Sequence, residues 1–331
     1  MAGGKIVADC DLSRVIGWDP SPMAQAKHFE TQWGGKTLSI EVGKYANQAN
    51  GSCLVRYGDT IVLGTAVMSA QKREGLEFFP LMVEYEEKLY AAGRIKGSRF
   101  VKRPGRPTDE AVLTARFVDR AIRPLFDDRL RNEIQIVLSV FSFDEENDPD
   151  IAALIAASCA LHISNIPWEG PIASIRVGQV EGERVINPTY LAREKSILDL
   201  AFAGTTEKIV MVEAGAREAE EQTVLDAFWF GQKHLKEPMA LIEEVHAAVG
   251  KEKRTDLLDE LSDDELRVQE LARPFIEKQV EELFFGSPKA MKVERAAAKS
   301  ELKSRVKKFL LEQKVEEALI GAGTNTVETI L

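Results

Sequence analysis

Cysteine is scarce in this chain: three residues, Cys10, Cys53 and Cys159, with no C-x-x-C pair among them. Three cysteines cannot build a disulfide framework or a cysteine zinc site, and they fit a reducing compartment. Histidine is almost as rare, with four scattered residues, so no histidine-rich metal centre is encoded. Long apolar runs are missing too. The longest uncharged stretch, residues 151–168, contains Ser158, His162, Ser164, Asn165 and Pro167. Only its first dozen residues are apolar and helix-like, about half of what a bilayer requires. The N-terminal residues MAGGKIVADCDLSR lack the apolar segment of a secretion signal, so a cytoplasmic location is expected. No G-x-x-x-x-G-K-[ST], H-E-x-x-H or G-x-S-x-G occurs. A P-loop, a zinc-protease helix and a nucleophile elbow are thereby excluded.

What is present is a globular composition, 44% hydrophobic and 29% charged, over 331 residues. That length suggests two domains and allows a sizeable core. The net charge of -10 argues against a nucleic-acid binder when taken over the whole chain. It is not evenly spread, however. Residues 94–131 hold eleven basic and five acidic side chains, a basic island on an acidic body.

Residues 1–28 show no clear period and read as an extension. Strand patterns begin at Gly35 and cover 36–45, 52–57 and 60–68, the last two joined by a short Gly58-Asp59 turn. Another strand fits 78–85. Residues 91–107, rich in Gly, Pro and charge, read as a long loop. A helix follows, capped by Thr108 or Asp109 and stopped by Pro124. Strand 133–143 leads to Asn147-Asp148-Pro149-Asp150, a cap with Pro at the first helical position, and an Ala-rich helix over 151–162. Strands at 172–180, 198–203 and 208–213 and a helix at 218–235 complete an α+β domain. Beyond Pro238 the composition turns to Glu, Lys, Leu and Ala with a 3.6-residue period, which predicts helices over 240–249, 263–283 and 288–319.

The chemistry-bearing stretch is the basic island. In its loop, Arg94, Lys96, Arg99, Lys102, Arg103 and Arg106 surround a single aromatic, Phe100. Cations neutralise phosphates and an exposed ring can stack on an unpaired base. In its helix, Arg116, Arg120 and Arg123 fall on one face, opposite Ala111, Ala115, Val118, Ala121 and Ile122. Such a stripe suits bidentate phosphate contacts. It equally suits a plain solvated face, and Asp119 could pair with Arg116 or Arg123. The carboxylates of the helical half sit at surface spacing and carry no site.

The run GRIKGSRFVKRPGRPTDEAVLTARFVDRAIRPLF closely resembles the signature of bacterial polynucleotide phosphorylases. So do EFFPLMVEYEEKLYAAG, NDPDIAALIAASCAL, GPIASIRVG and the LDLAFAGT and MVEAGA strands, in the same order over about residues 30–236. The resemblance implies a ribonuclease PH-like core (ribosomal protein S5 domain 2-like) followed by an all-α domain. Family members carry two such cores with the helical domain between them, then KH and S1 RNA-binding domains. On that pattern residues 1–28 are an extension, 29–237 the first core, 238–320 the helical domain, and 321–331 the truncated start of a second core.

The implied activity is 3'–5' phosphorolysis of RNA, a polyribonucleotide nucleotidyltransferase reaction in RNA degradation that uses inorganic phosphate and Mg2+. The implied assembly is a homotrimeric ring, or pairing with a chain that carries the second core. Single-stranded RNA is the expected partner; neither DNA nor a membrane is. The family's phosphate-binding and acidic metal-binding residues lie in the second core, so no catalytic residue and no metal ligand is expected here. Asn50-Gly51-Ser52, ahead of Arg56-Tyr57-Gly58, echoes a phosphate-binding turn of that copy and is read as structural. The RNA-binding residues implied are Arg99, Phe100, Lys102, Arg103, Arg106, Arg116, Arg120 and Arg123. The loop departs from the family pattern of two aromatics followed by two arginines, having one Phe and a Lys-Arg pair. A chain without the second core could instead be a non-catalytic RNA-binding protein or ring scaffold.

Overall fold

The structure, a computed structural model, describes residues 26–72, 78–95, 97, 105–257, 262–286 and 291–330. Two compact units divide the chain between residues 258 and 259.

The first unit is built on two sheets. One has six strands in the order β1-β2-β3-β4-β6-β5, from β1 (Lys27–Trp33), β2 (Lys36–Val42), β3 (Gly51–Tyr57), β4 (Thr60–Lys72), β5 (Leu81–Glu87) and β6 (Asn132–Ser142). Every pairing is antiparallel except β5 with β6, which leaves β5 as a parallel edge strand. The other sheet is fully antiparallel, in the order β10-β9-β7-β8, from β7 (Ala173–Val180), β8 (Glu183–Ile186), β9 (Leu198–Gly204) and β10 (Ile209–Ala216). Helix α1 (Asp109–Ile122) packs along β5, and helix α2 (Pro149–Ile163) touches strands of both sheets.

Helix α2 starts where Asp148 caps it and Pro149 takes the first turn, as its sequence predicts. All residues from Ile151 to Ile163 are buried, so the helix has no solvent face. That requires an apolar surface all round, which Ala and Leu supply. It also requires close approach. A β-carbon at Gly51 would lie 2.1 Å from the Ala160 carbonyl oxygen, and one at Gly64 would lie 2.8 Å from the Ala156 β-carbon. Glycine at these two strand positions lets the helix backbone settle onto the sheet.

The remaining first-unit helices are short α3 (Tyr190–Lys195), α4 (Glu221–Lys233) and α5 (Lys236–Val249). Helix α5 packs on α2 and β1 through Leu241, Ile242 and Val245, all buried in the same core. The second unit comprises α6 (Asp263–Val280), α7 (Lys292–Glu312) and α8 (Ile320–Ile330). Ser262 and Glu265 form a capping box at the start of α6. Its separate core joins Val268, Ala272 and Ile276 to Leu302, Val306, Leu310, Ile320 and Val327.

Several elements differ from expectation. Strand β1 begins at Lys27, inside the segment read as an extension; as an edge strand it buries only Trp33, so its alternation is weak. The compact-unit boundary falls about twenty residues after Pro238, because the apolar face of α5 serves the first core. The predicted helix over 288–319 ends at Glu312, followed by Lys314 in the left-handed region. The segment read as the start of another core, 321–331, overlaps helix α8 (Ile320–Ile330), whose Ile320 and Val327 join the α6–α7 core. Strand β8 and helix α3 were not anticipated; each is shorter than the pattern needed to register a period.

The close approach at α2 makes a sharp prediction. Gly51→Ala should lower unfolding stability by about 2–3 kcal/mol through overpacking. Gly35→Ala should cost only about 1 kcal/mol, since its φ is +79° but nothing lies within 4 Å of the added carbon. Urea titrations of both variants check this; equal midpoints would contradict the packing account.

Candidate nucleic-acid interface

Helix α1 is capped by Thr108, whose hydroxyl accepts from the Ala111 N–H at 3.0 Å, and carries Asp109 and Glu110 in its first turn. Ala111, Phe117, Val118, Ala121 and Ile122 face the core. The helix borders β5 across a groove of about 480 Å³, lined by Val83 to Glu86, Pro107, Ala111, Val112, Ala115, Arg116, Asp119 and Arg120.

The three helix arginines do not behave alike. Arg116 and Arg120 are exposed and line this groove. Neither makes a hydrogen bond or ion pair with a described residue. Arg123 is fully engaged. Its Nε and Nη2 donate to the two carboxylate oxygens of Asp119 at 2.7 and 2.6 Å. Its Nη1 and Nη2 also reach the Phe79 and Leu81 carbonyl oxygens at 3.5 and 3.3 Å. Its guanidinium lies 5.8 Å from the Phe79 ring centroid. Asp119 therefore pairs with Arg123, the choice that spacing alone had left open.

The acids around the groove are largely occupied. Glu86 accepts from Lys88 at 2.5 Å and from Ser139 at 3.1 Å. The Lys88 contact, followed by the Ser139 bond, holds its carboxyl below the usual range against a burial effect in the other direction. Glu84 accepts a longer bond from Gln135. The cleft thus holds two guanidinium groups with no hydrogen bond or ion pair to a described residue, a chemistry that suits phosphate oxygens. Arg106 is exposed in the segment leading into α1. Arg99, Phe100, Lys102 and Arg103 lie outside the described residues.

Asn50-Gly51-Ser52 is occupied by structural bonds. Asn50 donates to Asn165 at 2.9 Å and accepts from the Met68 N–H at 2.9 Å. Ser52 donates to the Tyr45 carbonyl.

The structure also gathers a cluster that sequence reasoning missed. Arg176 on β7 donates to Asp150 at 2.5 Å and Asp199 at 2.6 Å, with Asp148 3.4 Å away. Arg193 on α3 donates to Asp148 at 2.6 Å and Asp199 at 2.8 Å. Asp148 and Asp150 were visible only as a helix start, and Asp199, Arg176 and Arg193 lie on other elements. No spacing rule links them. Because each carboxylate is held by an arginine, the donor set does not fit a magnesium ion. No group of three or more His, Cys, Asp or Glu suited to a metal exists among the described residues.

Within the cluster, burial and then the neighbouring Asp148 charge push the Asp150 carboxyl up to about 7 from 3.8. Arg176 counters only part of this. The fold thus favours protonated Asp150. Its contribution to stability is full below pH 3.8 and is lost as pH rises through 7, with little change above. Asp150→Asn should remove this dependence, which unfolding titrations between pH 4 and 7 would show. Parallel curves for the two proteins would contradict the assignment.

Comparison with known proteins agrees with this architecture. Residues 34–167 match the 3' exoribonuclease family, domain 1, and residues 170–234 match domain 2 of the same family. The chain is 47% identical over 291 residues to a polyribonucleotide nucleotidyltransferase of Listeria welshimeri, covering 88% of this chain and 38% of that one. It is 50% identical over 264 residues to the enzyme of that name from Exiguobacterium sibiricum, covering 78% and 36%. The chain spans little more than a third of the length of these curated relatives. The crystal structure of rice (Oryza sativa) Rrp46 shares the fold, with a TM-score of 0.50 at 14% identity over 71% of this chain and all of that one. No described helix is long and apolar enough to cross a membrane. With both family domains matched in order across the two-sheet unit, the chain belongs to the 3' exoribonuclease family.

Proposed function

We propose that this chain supplies the RNA-holding half of a cytoplasmic 3'–5' phosphorolytic exoribonuclease, a polyribonucleotide nucleotidyltransferase. The observation that carries this reading is the pair Arg116 and Arg120, one helical turn apart in the lining of the α1–β5 groove and without a partner among the described residues. Single-stranded RNA places consecutive phosphates along such a groove, and each arginine neutralises one. Arg106 extends the positive path. Arg99, Phe100, Lys102 and Arg103 complete it in the reading from resemblance, with Phe100 stacking on a base.

In the reaction, inorganic phosphate attacks the 3'-terminal phosphodiester. The bond to the penultimate nucleotide's 3' oxygen breaks, a nucleoside diphosphate leaves, and the shortened RNA keeps a 3' hydroxyl. A magnesium ion, where bound, would supply charge neutralisation at the phosphoryl oxygens. The described residues offer no acid set for that ion, since Asp148, Asp150 and Asp199 are bound by Arg176 and Arg193. The family resemblance assigns the chemistry to a second core, brought in by pairing with a chain that carries it, and the expected assembly is a homotrimeric ring or that pairing. The same neutralised acids favour a second reading, a non-catalytic RNA-binding subunit or ring scaffold.

Incubation of the purified chain with poly(A), Mg2+ and phosphate distinguishes them. RNA binding without ADP release is expected for the chain alone, and ADP release on adding a second-core chain marks the phosphorolytic role. Phosphate-dependent ADP from the chain alone would place a complete site within it. Arg103→Ala and Arg120→Ala should each weaken RNA binding about threefold to tenfold and flatten its dependence on salt. Unchanged affinity in both would remove the RNA assignment.

A further inference from the structure

Arg116, Asp119 and Arg120 of α1 line the groove, and Arg123 follows directly as the C-cap of the helix. Asp119 is three residues from Arg116 and four from Arg123, so both are within reach on a helix. An aspartate in this position is a hazard to phosphate binding, since it could neutralise Arg116 and would repel a passing phosphate. We propose that Arg123 is a positioning residue that engages the Asp119 carboxylate where it lines the groove and keeps it from pairing with Arg116, leaving Arg116 and Arg120 available to phosphates; this rests on the RNA-binding reading above.

The geometry explains why Arg123 wins the competition. It takes both Asp119 oxygens in a bidentate pair. Its guanidinium is fixed from the other side by the Phe79 and Leu81 carbonyls and the Phe79 ring. The rotamer entropy of forming the ion pair is therefore already spent on anchoring Arg123 to the start of β5. Arg116 has no such anchor among the described residues, so a pair between it and Asp119 would have to order a mobile side chain as well. The same contacts use most of the Arg123 donors, which leaves it poorly placed to bind phosphate itself. Asp119 is not idle in this arrangement. Its charge aligns Arg123, and with it the register of β5 against α1.

The test measures binding of fluorescein-labelled oligoadenylate to the full chain by anisotropy, without phosphate, over a salt series. Arg123→Ala should weaken binding about fivefold and reduce the salt slope, because Asp119 is released toward Arg116. Adding Asp119→Asn to Arg123→Ala should restore affinity to within about twofold of the parent chain, together with the slope. A merely structural role for Arg123 would not be rescued by removing its partner. A double variant as weak as Arg123→Ala would show that Arg123 contacts RNA directly and would overturn the proposal, as would an Arg123→Ala variant with parental affinity. If Arg123→Ala does not fold, Arg123→Lys decides the matter. It keeps a cation on Asp119 and loses the carbonyl contacts, so near-parental affinity supports the proposal and a loss as large as that of Arg116→Ala opposes it. Parental affinity in Arg116→Ala/Arg120→Ala would instead sink the RNA-binding reading itself.

Discussion

Helix α2 is the element on which the first unit depends. It has no exposed side from Ile151 to Ile163 and contacts strands of both sheets. A helix in that position can tolerate only small or apolar side chains, and the strands beneath it must give up their β-carbons where the backbones meet. Gly51 and Gly64 are those places. The price in backbone entropy is small against the apolar area that the close approach buries. Six-stranded and four-stranded sheets thereby share one core, and the edge strand β5 is left beside α1 with a groove between them.

Arginine does two distinct jobs around this core. Arg176 and Arg193 are enclosed by carboxylates and serve as internal counter-ions. Removing such a charge leaves its partners buried and unpaired, which costs far more than the pair itself contributes. Arg123 belongs with them in part, being locked to Asp119 and to two carbonyls of the chain entering β5. Arg116 and Arg120 are different. They are exposed, have no partner among the described residues, and keep their full charge for a ligand. The described arginines of the basic island thus divide into ones with partners and ones with none among the described residues, and only pairing geometry separates them.

Much of the fold was legible in the residues. The alternation of β3 and β4, the Asp-Pro start of α2 and the Thr108 cap of α1 follow from local rules and stand as expected. Edge strand β1 was missed because only Trp33 is buried along it. The boundary between units was misplaced because α5 is amphipathic like the helices after it, and amphipathicity does not say which core a helix serves. Helix α8 was hidden by Gly321 and Gly323. Gly323 is in fact a packing position, where a β-carbon would lie 2.5 Å from Leu310.

The candidate site divides in the same way. The sequence by itself determined the charge of the α1 face, its helical spacing, and the family to which the chain belongs, because these are properties of neighbours in sequence. Only the tertiary structure decided that Asp119 goes to Arg123, since the Phe79 and Leu81 carbonyls that anchor the guanidinium lie more than forty residues away. It likewise decided that Asp148 and Asp150 at the start of α2 meet Asp199 of β9 and two arginines in one cluster. Long-range pairing sets which charges are cancelled, and a charge that is cancelled cannot hold a ligand.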